Sequence, residues 1–246
     1  MLVRLEWDSE HFGLPVARIE PAGLPEEELR ADLERAREEG VRLVYAFGPE
    51  NQPPAEALLA EFGGRAVSTQ VEYRRELPRT VGPPAPEGVR IEGWGGAPAP
   101  PDLRALAVEA GRFSRFRVDP GISRDRFEAL YVLWLERSIR RELADHVLVA
   151  RDESRTALGL VTVARPDPAR GRIGLLSVDP RWRRFGIATA LMAAAEERMR
   201  EAGCREAEVV TQAENAEVCR FYATTGYAVA HRERAYHFRP AAEADA

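Results

Sequence analysis

Two stretches of the chain carry residue types whose spacing suits chemistry. In the first, Arg183, Arg184, Phe185, Gly186, Ile187 and Ala188 follow an apolar run, 173–178, and lead into an amphipathic pattern that continues to Arg200. The absent side chain at Gly186 and the single methyl of Ala188 let a ligand come close to the backbone. First-turn amides of the helix that follows have no partners within it and sit at the positive end of its dipole. Strand, arginine-bearing loop and helix start together form a phosphate cradle. The same spacing also serves a solvated arginine loop before an ordinary helix that buries Ile187, Leu191, Ala194 and Ala195. In the second stretch, Asn215 and Tyr222 stand seven residues apart, nearly two helical turns, so both project from one face and can meet one ligand. A phenol with an ordinary pKa of about 10 is protonated at neutral pH and suits proton donation. The alternative is a Tyr222 packed under a sheet, its hydroxyl on a backbone carbonyl.

These residues need a frame. The apolar run 173–178 reads as a buried strand stopped by Asp179 and Pro180, and a helix begins near Gly186. Upstream, 16–19 reads as a strand, 25–39 as a charged surface helix stopped by Gly40, 41–47 as a buried strand, 54–62 as a short helix and 66–77 as a long strand. This βαβαβ unit, 1–84, ends in a Pro/Gly-rich linker over 78–87. A second domain, 88–240, opens with a strand at 89–93 and a helix at 102–111 capped by Asp102. The loop 113–122 and a long helix capped by Ser123 follow. Strands at 147–151 and 157–164 precede the central unit; a strand at 206–211, a helix at 215–225 and a strand at 227–238 follow it. The expected class is α/β with a mixed sheet and helices on both faces.

Composition narrows the function. The chain has 246 residues, 45% hydrophobic and 30% charged, which suits one large or two small globular domains. A net charge of −5 argues against a generic nucleic-acid surface. Neither a membrane-length apolar run nor an N-terminal export signal is present, so the expected compartment is the cytoplasm. Cys204 and Cys219 are then expected to be reduced thiols, and lysine chemistry is excluded because the chain contains no lysine. His11, His146, His231 and His237 do not form a metal-ligand pattern, so no metal is expected.

The arginine–glycine loop between strand and helix, followed downstream by Asn215 and Tyr222, resembles the GCN5-related N-acetyltransferase (GNAT) superfamily. That resemblance implies a GNAT fold over the second domain and acetyl-CoA as donor. It implies a strand split by a bulge, at which Leu176, Ser177 and Val178 would bind pantetheine, and the segment 183–188 as the pyrophosphate loop. It places Asn215 and Phe221 on the cofactor, and makes Tyr222 the acid that protonates the departing thiolate. Amides at Leu176 or Val178 are candidates to stabilise the developing oxyanion.

More finely, the N-terminal Trp7-Asp8-Ser9 with Phe12-Gly13, the Ser114-Arg115-Phe116-Arg117 run, the 172–176 strand and the Asn215/Tyr222 pair resemble the dTDP-fucosamine (TDP-4-amino-4,6-dideoxy-D-galactose) acetyltransferases. The implied acceptor is a small-molecule amine on a nucleotide-activated sugar, with Trp7, Asp8, Phe12, Ser114, Arg115, Phe116 and Arg117 on the acceptor side. Two arginines in a loop suit a diphosphate, and the phenylalanines suit stacking on a sugar or base; solvated arginines in a structural loop are the alternative. Expected partners are that acceptor and a second copy of the chain as a homodimer, without nucleic acid or membrane. Acetylation of a protein N-terminus or another small amine, and CoA binding without turnover, remain as alternatives.

Overall fold

Short β-branched runs bounded by Gly, Pro and Asp become strands, and the charged, alanine-rich segments between them become helices that bury one stripe each. The computed structural model describes residues 1–78, 82–96 and 98–241, so positions 79–81 of the expected linker and position 97 of the following loop lie outside the described residues. The N-terminal stretch comprises β1 (Leu2–Arg4), α1 (Glu6–Phe12), β2 (Val16–Ile19), α2 (Glu26–Glu38), β3 (Leu43–Gly48), α3 (Glu56–Glu61) and β4 (Arg65–Glu76). Next come β5 (Arg90–Gly93), α4 (Pro101–Ala110), α5 (Arg115–Val118), α6 (Arg124–Ile139), β6 (His146–Arg151) and β7 (Ala157–Asp167). The central unit is β8 (Arg170–Val178), a 3₁₀ turn (Pro180–Trp182) and α7 (Ile187–Glu201), and the chain closes with β9 (Glu206–Gln212), α8 (Ala216–Thr224) and β10 (Ala228–Phe238).

All these strands join one ten-stranded sheet in the order β1-β2-β3-β10-β4-β9-β8-β7-β6-β5. The closing strand β10 lies between β3 and β4, antiparallel to both. On its other edge β4 pairs antiparallel with β9 from Gln70–Gln212 to Glu76–Glu206. A strand from the first 84 residues thus stands at the centre of the sheet that carries the 88–240 elements. Apolar side chains of α4, α6 and α1 bury one face, those of α7 and α8 cover the opposite face, and α2 and α3 pack on the N-terminal strands. Tight contacts fix α7 over the centre: a Cβ on Gly159 of β7 would lie 3.0 Å from Leu191 and 2.8 Å from the Ser177 carbonyl oxygen. Among the described residues no helix is long and apolar enough to cross a membrane.

The segment holding Trp7, Asp8 and Phe12 is a helix, closed by Gly13 in a left-handed conformation (φ 63°). Two local expectations are corrected. Arg115–Val118 within the expected 113–122 loop is also helical, because the Ser114 hydroxyl accepts from the Arg117 amide and caps it. Asp102 does not cap α4, whose N-cap is Pro100; its carboxylate instead accepts from the Ala157 amide at 3.0 Å and ties the helix to β7. The Ser123 cap of α6 is as expected, its side chain accepting from the Arg126 amide.

Candidate active site

The site begins with a fault in β8. Between Val163–Ile173 and Val161–Leu176 this strand holds one more residue than β7, a bulge that bends it. Its parallel pairing with β9 runs from Arg170–Glu206 to Ile173–Val209 and stops there. Beyond the bulge, the Leu175 amide donates to the Thr162 hydroxyl at 2.8 Å, and the Asp179 amide donates to the Leu158 carbonyl at 2.9 Å. Amides alternate along a strand, so those of Leu176 and Val178 point the other way, into the gap that β9 leaves. A ligand that adds to this edge meets unpaired backbone.

The loop that follows shapes the outer wall. Asp179 accepts from the Arg181 amide at 2.9 Å and starts the 3₁₀ turn. Arg184 (φ 66°) and Gly186 (φ 85°) both adopt left-handed backbone, which turns the chain into α7. Glycine takes that conformation at no steric cost, whereas an arginine pays for it. Arg183 is held, its guanidinium donating to Glu109 of α4 at 2.6 Å. Arg184 makes no hydrogen bond or ion pair among the described residues. Ile187 is buried in the core under the helix, and Phe185 is 62% exposed, so neither side chain lines the inner site.

The inner wall is α8. Asn215 caps it, its Oδ1 accepting from the Val218 amide at 3.3 Å, which leaves its amide nitrogen for a ligand. Val218, Phe221 and Tyr222 follow on the same face and join Leu176, Ser177, Val178, Gly186 and Ala188 around a cavity of about 240 Å³. Tyr222 is 2% exposed. Its ring packs 5.5 Å from Tyr73 and 5.7 Å from Tyr227, centroid to centroid. Tyr227 is itself anchored by donating to Glu196 at 3.0 Å, a carboxylate that also accepts from Arg75 at 3.1 Å. Burial first, then the neighbouring Cys219 and Tyr73, hold the Tyr222 phenol well above its usual range, so it is protonated at neutral pH. Its hydroxyl makes no hydrogen bond among the described residues, which removes the alternative of a carbonyl-anchored structural tyrosine.

The seven acceptor-side candidates gather elsewhere. None of Trp7, Asp8, Phe12, Ser114, Arg115, Phe116 and Arg117 lines the cavity at Tyr222, although neighbouring Phe113 does. Phe12 and Phe116 are core residues, and the Ser114 side chain is spent as a cap. Arg137 lies over the Trp7 ring at 5.3 Å. Asp8 accepts from the Tyr45 hydroxyl at 3.1 Å, and burial raises its pKa. The Arg115 guanidinium is enclosed by the rings of Tyr45, Phe47 and Phe116 at 4.5, 5.3 and 4.5 Å, with its Nε buried and unpartnered. Arg117 is exposed, 5.9 Å from the Phe127 ring. The same cluster holds His237, fully buried, with Nδ1 2.5 Å from an Asp119 carboxylate that also accepts from Arg239 at 2.7 Å.

Two lining residues carried no signal in the sequence: Glu109 and Arg112 arrive from the end of α4 and the turn after it, far from the loop in the chain. Val218 was legible, since it lies three residues after Asn215 and four before Tyr222 on one helical face.

Comparison with known proteins places this geometry. Residues 114–227 match the model of the Acetyltransferase (GNAT) family. A mycothiol acetyltransferase of Actinosynnema mirum is 26% identical over 210 residues, covering 84% of this chain and 67% of that protein. Among solved structures, a GCN5-related N-acetyltransferase from Kribbella flavida superposes with a TM-score of 0.63 at 19% identity, over 96% of this chain and 86% of the other. A tandem GNAT protein from the clavulanic acid biosynthesis pathway superposes with a TM-score of 0.59 at 17% identity, over 93% and 76%. The fold is therefore that of the GNAT acetyltransferases, residues 114–227 match the model of that family, and the protein is an acyltransferase.

Proposed function

We propose that this protein moves the acetyl group of acetyl-CoA to the amine of a nucleotide-activated amino sugar, with Tyr222 as general acid. One observation carries the acid assignment: a buried, protonated and unbonded phenol stands at the inner end of a cavity whose other wall is the splayed strand. In this reading Leu176 and Val178 amides donate to the thioester oxygen as charge grows on it. The α7 start and Arg184 meet the pyrophosphate. Asn215 orients the pantetheine arm, and the Tyr222 proton passes to the sulfur as the carbon–sulfur bond breaks; the amine nitrogen takes the acetyl group and releases its proton to water, from which Tyr222 is reprotonated. Holding both reactants in one cleft supplies the proximity such a transfer needs. Residues 1–84 contribute the acceptor side, beginning with β4 at the centre of the sheet.

A second reading, acetylation of another small-molecule amine, is favoured by the enclosure of Arg115, which leaves Arg117 as the exposed arginine of the pair offered for a diphosphate. The similarity to a mycothiol acetyltransferase belongs to this reading. Thiol release from acetyl-CoA, measured with a dTDP-4-amino-4,6-dideoxyhexose, deacetylated mycothiol, an N-terminal peptide and a polyamine, separates them. Turnover confined to the sugar nucleotide is expected. Turnover with another amine alone replaces the acceptor and leaves the donor in place.

A further inference from the structure

A cavity remote from the acetyl-transfer cleft opens where α6 ends, β6 begins and α7 finishes. It encloses about 260 Å³ and shares no lining residue with the cavity at Tyr222. Its floor is apolar: Val163 of β7, Met199 of α7 and Cys204 are all buried. Met199 is fixed there, because its side chain fills the space that a Cβ on Gly171 would need. Burial pushes the Cys204 thiol up, so the floor stays uncharged at neutral pH. The rim is cationic. Arg141 reaches it from the turn after α6, Arg165 from β7 and Arg198 from α7, with Asp145 as the one carboxylate in the lining.

Two of these arginines are open to a ligand. Arg198 is taken by Glu201 at 2.7 Å, whereas neither Arg141 nor Arg165 has a carboxylate partner among the described residues. The Arg165 guanidinium donates to the Ala202 carbonyl at the end of α7, at 2.8 Å, which fixes it at the rim and leaves its other N–H groups available. Arg141 closes α6: the Glu142 amide donates to the Arg137 carbonyl at 2.9 Å, and Arg141 takes the left-handed backbone, φ 62°, that such a helix end usually gives to glycine. An arginine pays a steric cost there. Its side chain makes no hydrogen bond, ion pair or ring contact among the described residues.

We propose that this cavity binds a small organic phosphate, its phosphate between Arg141 and Arg165 and its apolar body on the floor of Val163, Met199 and Cys204. Guanidinium groups present paired N–H donors that match phosphate oxygens, and here two of them converge from separate elements without breaking a carboxylate pair. The apolar floor adds burial that a bare inorganic anion cannot use. The site depends on neither the donor nor the acceptor assignment: along α7 the rim at Arg198 lies about 17 Å from Ile187 at the helix start.

Calorimetric titration of the intact protein with phenyl phosphate, without and with excess CoA, tests this. Phenyl phosphate is expected to bind about tenfold more tightly than inorganic phosphate, with one Kd whether or not CoA is present. Arg141→Gly suits the left-handed backbone and so preserves the fold. It and Arg165→Ala are each expected to weaken phenyl phosphate severalfold. Binding that neither variant weakens, phenol binding as tightly as phenyl phosphate, or no binding at millimolar concentration overturns the site. A phenyl phosphate Kd raised severalfold by CoA also overturns it, by moving the ligand to the acetyl-transfer cleft, and inorganic phosphate binding equally well overturns the organic ligand. Failure of CoA itself to bind would strike the donor assignment and leave the dependence on Arg141 and Arg165 as the test of this site.

Discussion

The donor side and the acceptor-side cluster treat their polar groups in opposite ways. Around Tyr222 and the α7 loop, a phenol, Arg184, Arg220 and the amides of Leu176 and Val178 are left without partners and face a cavity. Around His237 most charged groups are paired inside the protein, Asp119 holding His237 and Arg239 and Asp8 holding Tyr45, while Arg115 Nε and His237 Nε2 stay buried without partners. Unsatisfied polar groups are costly inside a protein, so a cleft that keeps them open is built to receive something. A network whose charged groups pair mainly with one another holds elements together, and here it fastens α1, β3, α5 and β10 to one another. The difference assigns chemistry to the first region and architecture to most of the second.

The largest effect that would break this contrast comes from the donor side. Tyr222→Phe is expected to lower kcat by roughly 10²–10⁴, with the acetyl-CoA Kd nearly intact; a thiol-release assay with unchanged kcat would remove the acid role. On the architectural side, burial first, opposed by the Asp119 contact and aided by the nearby Arg115, holds His237 down at about 4, below the ordinary 6.5. The unfolded chain therefore binds a proton between pH 6.5 and 4 that the folded protein refuses, and stability is lost as pH falls through that window. About 3 kcal/mol is at stake by this linkage. Thermal unfolding across that range should show a slope that His237→Gln flattens, and an identical slope in the variant would exclude His237 as its source. The smallest effect sharpens the cradle. Gly186→Val meets no close neighbour, since the nearest atom to a Cβ there is Pro86 Cγ at 3.7 Å, but it must hold φ 85°. The strain is about 1–2 kcal/mol, and the re-aimed amides are expected to weaken acetyl-CoA severalfold with little change in kcat at saturating donor; an unaltered Kd would dissociate this turn from donor binding.

Much of the donor side was legible because it is local. A strand, a stop at Asp179-Pro180, a glycine turn and a helix lie within one contiguous stretch, and Asn215 and Tyr222 share a face through helical periodicity alone. Phe185 and Ile187 belong to the same motif, yet one points to solvent and the other into the core. A six-residue pattern specifies a turn; it does not specify the direction of each side chain. The acceptor-side residues were harder to read, since aromatic and arginine side chains in Ser114–Arg117 suit a ligand or a core equally well. Tertiary packing sent Phe116 inward and wrapped Arg115 in rings from β3.

By itself the sequence determined the elements that short-range forces make: apolar runs for strands, a serine cap at α6, a glycine turn before α7, and an amphipathic α8 carrying Asn215 and Tyr222. Only the tertiary structure decided that β10 inserts between β3 and β4, that β8 parts from β9 after Ile173, and that Glu109 and Arg220 join a loop distant from them in the chain. The reason is physical. Periodicity and capping act over a few residues, whereas strand order and the pairing of buried charges are chosen by contacts between segments far apart, which only the packed sheet brings together.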